Sequence, residues 1–137
     1  MTGLKLYADG RIEPYELSQE RENYIALQKS IDCDCIDIVH AVNLEDPYCM
    51  VVDDEFLLKE RPHLNLVASY LYGALEHGQP ICGDVIIMKD KHTPDGIETV
   101  GLNEDDLNKL LAYLYSDTTY NNVIGTAIKL APLIGEE

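Results

Sequence analysis

The chain has 137 residues, of which 46% are hydrophobic, and it carries a formal net charge of −15 from 25 acidic and 10 basic side chains. A domain of this length buries about two thirds of the surface that its unfolded chain exposes, so one compact core is expected. The negative charge repels phosphate backbones and anionic membranes, which argues against direct binding of nucleic acid or of a membrane surface. No stretch of the sequence approaches the ~18 consecutive apolar residues of a membrane span.

Four cysteines, Cys33, Cys35, Cys49 and Cys82, raise the questions of disulfides and of metal binding. The N-terminal residues contain no apolar segment of signal-peptide length, so we expect reduced thiols and a cytoplasmic protein. Cys33 and Cys35, together with His40, offer the ligand types of a zinc site. Cys49 and Cys82, however, stand alone inside apolar runs, where cysteine behaves as a small buried hydrophobic residue. The sequence therefore predicts neither a bound metal nor any other cofactor.

The first third of the chain predicts a hairpin, a helix and a strand. Asp9 and Gly10 form a turn signal between two short alternating runs, and Ser18 is a favourable helix N-cap before apolar residues at helical spacing. A following run rich in β-branched side chains favours a strand. The predicted elements are a hairpin of residues 4–7 and 12–17, a helix over 19–30 and a strand over 32–42.

The central stretch, residues 48–88, contains the densest apolar pattern of the chain. Its predicted elements are a hairpin over 48–59 that turns at residues 53–55, a helix over 66–75 and a largely buried strand over 81–88. Asn65 begins the helix and Gly78 ends it. Gly73 weakens the helix by roughly 1 kcal/mol relative to alanine, which predicts close packing against another element at that point.

The last third predicts a strand over 97–100 that pairs back across a Pro-Asp-Gly loop, and a helix capped by residues 103–106. Residues 118–137 have no pattern that supports an assignment. These elements predict an α+β fold, with residues 1–137 as a single domain. Its mostly antiparallel sheet is expected to have about five to seven short strands, with about three helices packed on it.

Two acidic groups could carry chemistry, but neither has the pattern that the chemistry needs. Asp32, Asp34 and Asp37 resemble a calcium-binding loop, yet Ile36 stands at the third ligand position. Residues 53–55 are adjacent acids at a turn, and such side chains normally point into water rather than act as general acid and base. Neither a nucleophile motif nor a phosphate-binding glycine-rich loop accompanies the four histidines. The sequence therefore predicts no catalytic residue and favours a binding protein over an enzyme.

Three segments carry a resemblance to a known family. They are Val-Asp-Asp-Glu-Phe-Leu-Leu-Lys at 52–59, Pro-His-Leu-Asn-Leu-Val-Ala-Ser at 62–69 and Ile-Cys-Gly-Asp-Val-Ile-Ile at 81–87. Their order resembles a small family of uncharacterised proteins, a domain of unknown function, carried by bacteriophages and conjugative elements. The similarity covers roughly residues 20–115. The chain departs from the family at Phe56, where the family tends to have glycine. The resemblance implies a mobile-element context and transfers no catalytic residue.

Charge supplies the main functional hypothesis. Residues 32–60 contain nine acidic side chains against one basic one, and an unpaired carboxylate is costly to bury, so many of them must form an exposed negative surface. We therefore expect a non-enzymatic binding or inhibitor protein of a mobile element. It would act as an anti-defence or anti-restriction decoy on a basic, nucleic-acid-binding host protein. The residues expected to contact this partner are Asp34, Asp37, Asp53, Asp54 and Glu55.

Two other functions stay open. Nine tyrosines against one phenylalanine are typical of contact surfaces, and they could line a pocket that binds or sequesters a small molecule such as a nucleotide signal. A structural or regulatory role with an unknown partner is the second alternative. The sequence also leaves open whether the protein forms a homodimer.

Overall fold

The computed structural model describes residues 1–55 and 63–131. Within these two ranges the chain forms six strands and five helices. In chain order they are β1 (Thr2–Leu6), β2 (Ile12–Glu16), α1 (Asn23–Ser30), β3 (Ile36–Val39), β4 (Tyr48–Asp53), α2 (Leu66–Tyr72), α3 (Ala74–His77), β5 (Val85–Thr93), β6 (Gly96–Val100), α4 (Glu104–Leu114) and α5 (Asp117–Leu130).

The six strands form one antiparallel sheet in the order β2-β1-β5-β4-β3, with β6 paired to the second half of β5. Ile87 of β5 lies between Leu4 and Met50, so β1 and β4 flank β5 on opposite edges. Lys89 lies between Tyr48 and Val100 in the same way. β6 therefore follows β1 along one edge of β5, and β5 is the central strand of the sheet.

Both faces of the sheet are covered, because successive side chains of a strand point to opposite faces. On one face, strand side chains pack against α2 and α4; they include Met50, Val52, Val85 and Ile87. On the other face, strand side chains pack against α1; they include Cys49, Val51, Ile86 and Met88. This double burial explains why β4 and β5 have continuous rather than alternating apolar sequences.

Asn65 fastens α2 to the sheet. Its side-chain oxygen accepts the N–H of Ala68 (3.1 Å), which caps the helix. Its amide group donates to the carbonyls of Leu6 (3.0 Å) and Gly83 (2.9 Å). Asn65 is buried, so each of these polar atoms has exchanged water for a protein partner.

Gly73 ends α2 and lets the next segment approach it. Its φ of 87° is the left-handed conformation that favours glycine, and a Cβ there would lie 2.8 Å from Cγ2 of Val42. The N–H of Asn43 donates to the carbonyl of Leu71 (2.9 Å) beside it. The expected close packing at Gly73 is confirmed, but the glycine also terminates the helix that the sequence predicted to continue to Leu75.

Asp106 joins α4 to the two central strands. It forms a reciprocal capping box with Asn103, accepting the Asn103 N–H (3.0 Å). It also accepts hydrogen bonds from the Tyr48 hydroxyl (2.8 Å) and the Lys89 ammonium (2.6 Å). Burial raises the pKa of Asp106, but the hydrogen bonds from Lys89, the Asn103 N–H and Tyr48 outweigh it, and the net pKa lies below its ordinary value.

The α+β class, the antiparallel sheet and its number of strands are as the sequence predicts. The hairpin at Asp9-Gly10, the returning strand β6 and the capped helix α4 are also confirmed. The number of helices was wrong, because α3 and α5 add to the expected set. None of the helices in residues 1–55 and 63–131 has the length and apolar character needed to span a bilayer.

Several boundaries differ from the prediction. α1 begins at Asn23 rather than residue 19, and its N-cap, Glu22, makes no side-chain capping bond. β3 is confined to Ile36–Val39, because Asp32 adopts a φ of 52° at one end and the chain turns toward α2 at the other. The strand expected over 81–88 runs instead over Val85–Thr93. β4 pairs with β3 and β5, and the second strand of the predicted hairpin, 56–59, lies outside the described residues.

Candidate functional site

An acidic corner forms where the α1–β3 connection meets the end of β4. We use this name for Asp32, Asp34, Asp53, Asp54 and Glu55. Because Ile36 pairs with Asp53 in an antiparallel register, the residues just before β3 lie beside those just after β4. The N–H of Asp54 donates to the carbonyl of Cys35 (2.9 Å) and extends this pairing by one residue. The register thus brings together acids that lie about twenty residues apart in the sequence.

Within the corner, Asp53 differs from the expectation. Its residue exposure is 5%, and its Oδ1 accepts the N–H of Glu55 (2.8 Å). This is the bond by which an aspartate stabilises a turn two residues ahead, so Asp53 supports the local backbone. The structure therefore contradicts the expectation that Asp53 is exposed, whereas its contact with a partner stays a prediction. Asp32, Asp34, Asp54 and Glu55 are exposed.

Asp37 lies next to the corner, on β3, opposite Val52 of β4, and is exposed. Among the strands of the described residues, β3 pairs with β4 alone and forms one edge of the sheet. Since the Cys35 carbonyl faces β4, antiparallel alternation directs the amides of Ile36 and Ile38 to the outer edge. The acids therefore border a strand edge whose backbone groups point away from the sheet.

The electrostatic effect of the corner appears at Cys35. The charge of Glu55, then partial burial and the charges of Asp54 and Asp34, raise the pKa of this exposed thiol above its ordinary value. Beside the corner, an open cavity of about 630 Å³ is lined in part by Gln28, Lys29, Asp32 and Asp34. The ammonium of Lys29 is 2.5 Å from Glu20, so its charge is already paired. The local potential is negative.

These acids do not form a metal centre in the described part of the chain. No group of three or more His, Cys, Asp or Glu side chains there is arranged to hold a metal ion. Cys33, which the sequence considered as a ligand, donates its thiol to the carbonyl of Cys35 (3.5 Å). Cys49 and Cys82 are buried in the core, as their apolar neighbours predicted.

A second group, Cys49, Asp90 and His40, contains residue types found in nucleophilic catalysis. Asp90 Oδ2 lies 2.5 Å from His40 Nε2, and burial together with Asp90 raises the pKa of Cys49 to about 12. The carboxylate thus interacts with both the thiol and the imidazole. In a catalytic arrangement the imidazole contacts the nucleophile and the carboxylate lies behind it. Here the carboxylate of Asp90, rather than the imidazole of His40, interacts with the thiol, and the raised pKa keeps Cys49 protonated.

A pocket between the 40–47 loop and α4 brings tyrosines together. Its volume is about 310 Å³, and its lining residues are Val42, Asn43, Leu44, Glu45, Tyr48, Lys109, Leu110 and Tyr113. The Tyr113 hydroxyl donates to the carbonyl of Asn43 (2.8 Å) and lies 3.4 Å from the Tyr70 hydroxyl. Lys109 Nζ is 3.5 Å from Glu45 at the pocket and 5.9 Å from the centre of the Tyr48 ring.

Sequence reasoning named no residue of this pocket, although it proposed that tyrosines could line one. The signal in the sequence was the excess of tyrosine over phenylalanine, because a buried tyrosine ring carries a hydroxyl group that needs a hydrogen-bond partner. The pocket itself depends on contacts between segments far apart in the chain, and no local pattern encodes it.

Comparison with protein families gave one finding. A family model described as a domain of unknown function, DUF3846, matches residues 1–115, which include β1 to β6 and α1 to α4. Comparison with curated proteins and with solved structures gave no match.

Proposed function

The chain belongs to the DUF3846 family, a domain of unknown function, and from this premise we propose that it is a non-enzymatic acidic protein that binds and inhibits a basic partner. The observation that carries the proposal is the acidic corner together with Asp37 on the adjoining strand edge. Five exposed carboxylates there, Asp32, Asp34, Asp37, Asp54 and Glu55, face solvent beside a lysine already paired with Glu20.

The chemistry of the corner supports a partner with a basic surface. A concentrated negative surface attracts a positive groove, accelerates encounter with it and repels nucleic acid and anionic membranes. Proteins that bind nucleic acid present such grooves to phosphate backbones. We propose that the corner occupies a groove of this kind as a phosphate mimic. The resemblance to proteins of bacteriophages and conjugative elements extends the proposal to an anti-defence or anti-restriction role inside the host cell.

The strand edge gives the corner a second means of recognition. An outward row of amides and carbonyls can accept a strand from a partner, and the flanking acids would select a basic one. Backbone pairing would fix orientation, whereas the carboxylates would determine partner choice and association rate.

The test compares two variants of equal net charge. One neutralises the exposed acids predicted from the sequence: Asp34→Asn, Asp37→Asn, Asp54→Asn and Glu55→Gln. Asp53 stays unchanged because it caps the turn. The control neutralises four exposed acids on other elements: Glu22→Gln, Glu76→Gln, Glu98→Gln and Glu104→Gln.

Each protein is immobilised, exposed to host lysate at low salt and eluted with high salt. Retained nucleic-acid-binding proteins are then purified, and their DNA binding is measured with each variant added. We expect the wild type and the control variant to capture the partner and inhibit its DNA binding, and the corner variant to do neither. Equal capture by the corner variant, or capture that ignores salt, would contradict the proposal.

The tyrosine pocket supports the second candidate, a small-molecule binding function. Its volume of about 310 Å³ falls in the range of ligand pockets, and its apolar lining carries a few polar groups, as such sites do. Mass spectrometry of the protein purified from its host under native conditions tests this candidate. A co-purifying small molecule that disappears with Leu110→Trp, which fills the pocket, would favour it over the acidic-decoy role.

A further inference from the structure

α5 presents an apolar stripe to solvent. Tyr120, Ile124 and Ile128 recur at four-residue intervals, so they lie above one another on one side of the helix. Their residue exposures are 65%, 41% and 69%. The opposite side of α5 is buried against the domain through Thr119, Thr126 and Leu130. The helix therefore buries two threonines and exposes its larger isoleucines and tyrosine, the reverse of the usual arrangement for a surface helix.

This stripe is also free of charge. Residues 118–128 contain no Asp, Glu, Lys or Arg, although the chain as a whole carries a net charge of −15. The charges that flank this segment in the sequence are Asp117 at the start of α5 and Lys129 in its last turn. α5 begins beyond residue 115, where the match to the family model ends. It thus lies outside the matched region, and the stripe is exposed among the described residues.

We propose that α5 is a self-association surface, on which two copies of the chain pack their α5 helices in antiparallel orientation about a two-fold axis near Ile124. The stripe suits this symmetry, because Tyr120 and Ile128 lie at equal distances on either side of Ile124. A two-fold axis there brings Ile124 against Ile124 of the second copy and Tyr120 against Ile128 of the second copy.

Charge selects a second copy over other occupants. Two chains of net charge −15 repel wherever their acids meet, and this charge-free face minimises the repulsion. A basic partner would be drawn to the acidic surfaces and would gain nothing electrostatic from an uncharged stripe. An anionic membrane would repel the rest of the molecule. Apolar burial is what remains, and the spacing of Tyr120, Ile124 and Ile128 makes the stripe self-complementary about the two-fold axis.

Self-association of α5 and binding of a basic partner should respond to salt in opposite directions. Salt screens the repulsion between like-charged copies, so self-association should strengthen as ionic strength rises. Binding of a basic partner to the acidic corner should weaken under the same change. The proposal therefore does not depend on the proposed function, and failure of either leaves the other standing.

The experiment is sedimentation equilibrium from low to high micromolar protein at low and high salt. We expect a monomer–dimer equilibrium that shifts toward dimer at high salt. Ile124→Glu places two carboxylates against each other at the axis and should raise the dissociation constant roughly tenfold or more, and Ile128→Glu should act in the same direction. The matched control is Ile97→Glu, a 61% exposed isoleucine on β6, which should leave association unchanged.

Circular dichroism and thermal unfolding of each variant establish that it is folded. A wild-type protein that stays monomeric at high salt would overturn the proposal. So would an Ile97→Glu variant that dissociates as readily as Ile124→Glu.

Discussion

Replacing Asp106 by alanine should be among the most destabilising single changes in α4. The carboxylate accepts hydrogen bonds from Tyr48, Lys89 and the backbone of Asn103, and it thereby connects α4 with β4 and β5. Tyr48 is a buried residue of 3% exposure, so its hydroxyl would lose its acceptor where water has little access. The neighbouring Asp105 is exposed and shares the first turn of the helix, which makes Asp105→Ala the matched control.

The magnitude follows from these contacts. An unsatisfied buried hydroxyl costs about 1–3 kcal/mol, a partly exposed ion pair about 1 kcal/mol, and half of a capping box about 0.5–1 kcal/mol. We therefore expect Asp106→Ala to lower the free energy of unfolding by about 3 kcal/mol in urea titrations. Asp105→Ala should cost about 0.5 kcal/mol, since it removes only a charge from the positive end of the helix dipole. Equal losses in the two variants would refute the reasoning.

The pH dependence gives an independent check. The pKa of Asp106 in the folded protein lies below its ordinary value near 3.8, so its carboxylate stabilises the fold above that value. This stabilisation is lost as the pH falls through the lowered folded pKa. The difference in unfolding free energy between the wild type and Asp106→Asn should therefore narrow below about pH 4. A difference that stays constant into that acid range would show that the charge of Asp106 does not contribute.

Three further results are expected. Asn65→Ala should lower the free energy of unfolding by about 3 kcal/mol in urea titrations, since it leaves one buried and one partly buried carbonyl without their donors and removes a helix cap. A loss under about 1 kcal/mol would contradict this. Gly73→Ala should lower the melting temperature, because its φ of 87° strains alanine and the new Cβ lacks space; an unchanged melting temperature would contradict this. A thiol reagent should label exposed Cys35 in the native protein, and added salt should speed this labelling because it screens the acids that raise the pKa of the thiol. Cys49 and Cys82 should be labelled only on unfolding, which brings the total to four thiols. Labelling of either buried thiol in the native protein would contradict the packing.

Local signals predicted much of the fold. The Asp9-Gly10 turn and the capping box at Asn103 and Asp106 are complete within a few residues, so the sequence alone indicates them. The apolar run through Ile86 and Ile87 indicates a strand buried on both faces. These features need no knowledge of what lies across the sheet.

The errors came where the structure departs from a local preference. Ser18 is a favourable cap, but α1 begins five residues later. α5 received no assignment because its buried side uses Thr119 and Thr126 while Ile124 and Ile128 face outward. A periodicity argument assumes that apolar residues point inward, and it fails when they do not.

The same distinction applies to the candidate site. Charge counting along the sequence predicted that residues 32–60 form a negative surface, and Asp34, Asp54 and Glu55 do lie exposed in one corner. It could not separate Asp53 from its neighbours, because one backbone hydrogen bond decides that difference. Nor could it locate the pocket around Tyr113, whose members meet only after the loop has packed on α2 and α4.

The position of β5 in the sheet has a consequence for how the chain is made. β1 pairs with β2 and β3 pairs with β4 early in the sequence, but the strand that joins these two hairpins comes from residues 85–93. During synthesis both hairpins leave the ribosome before β5 has been made. Leu4 and Met50 therefore lack their common pairing partner, Ile87, at that stage. Strands that lie far apart in the sequence pair slowly. Until β5 arrives, the unpaired edges of the two hairpins can pair with other strands. Nascent chains truncated before residue 85 should therefore bind chaperones, and release should follow once β5 has emerged.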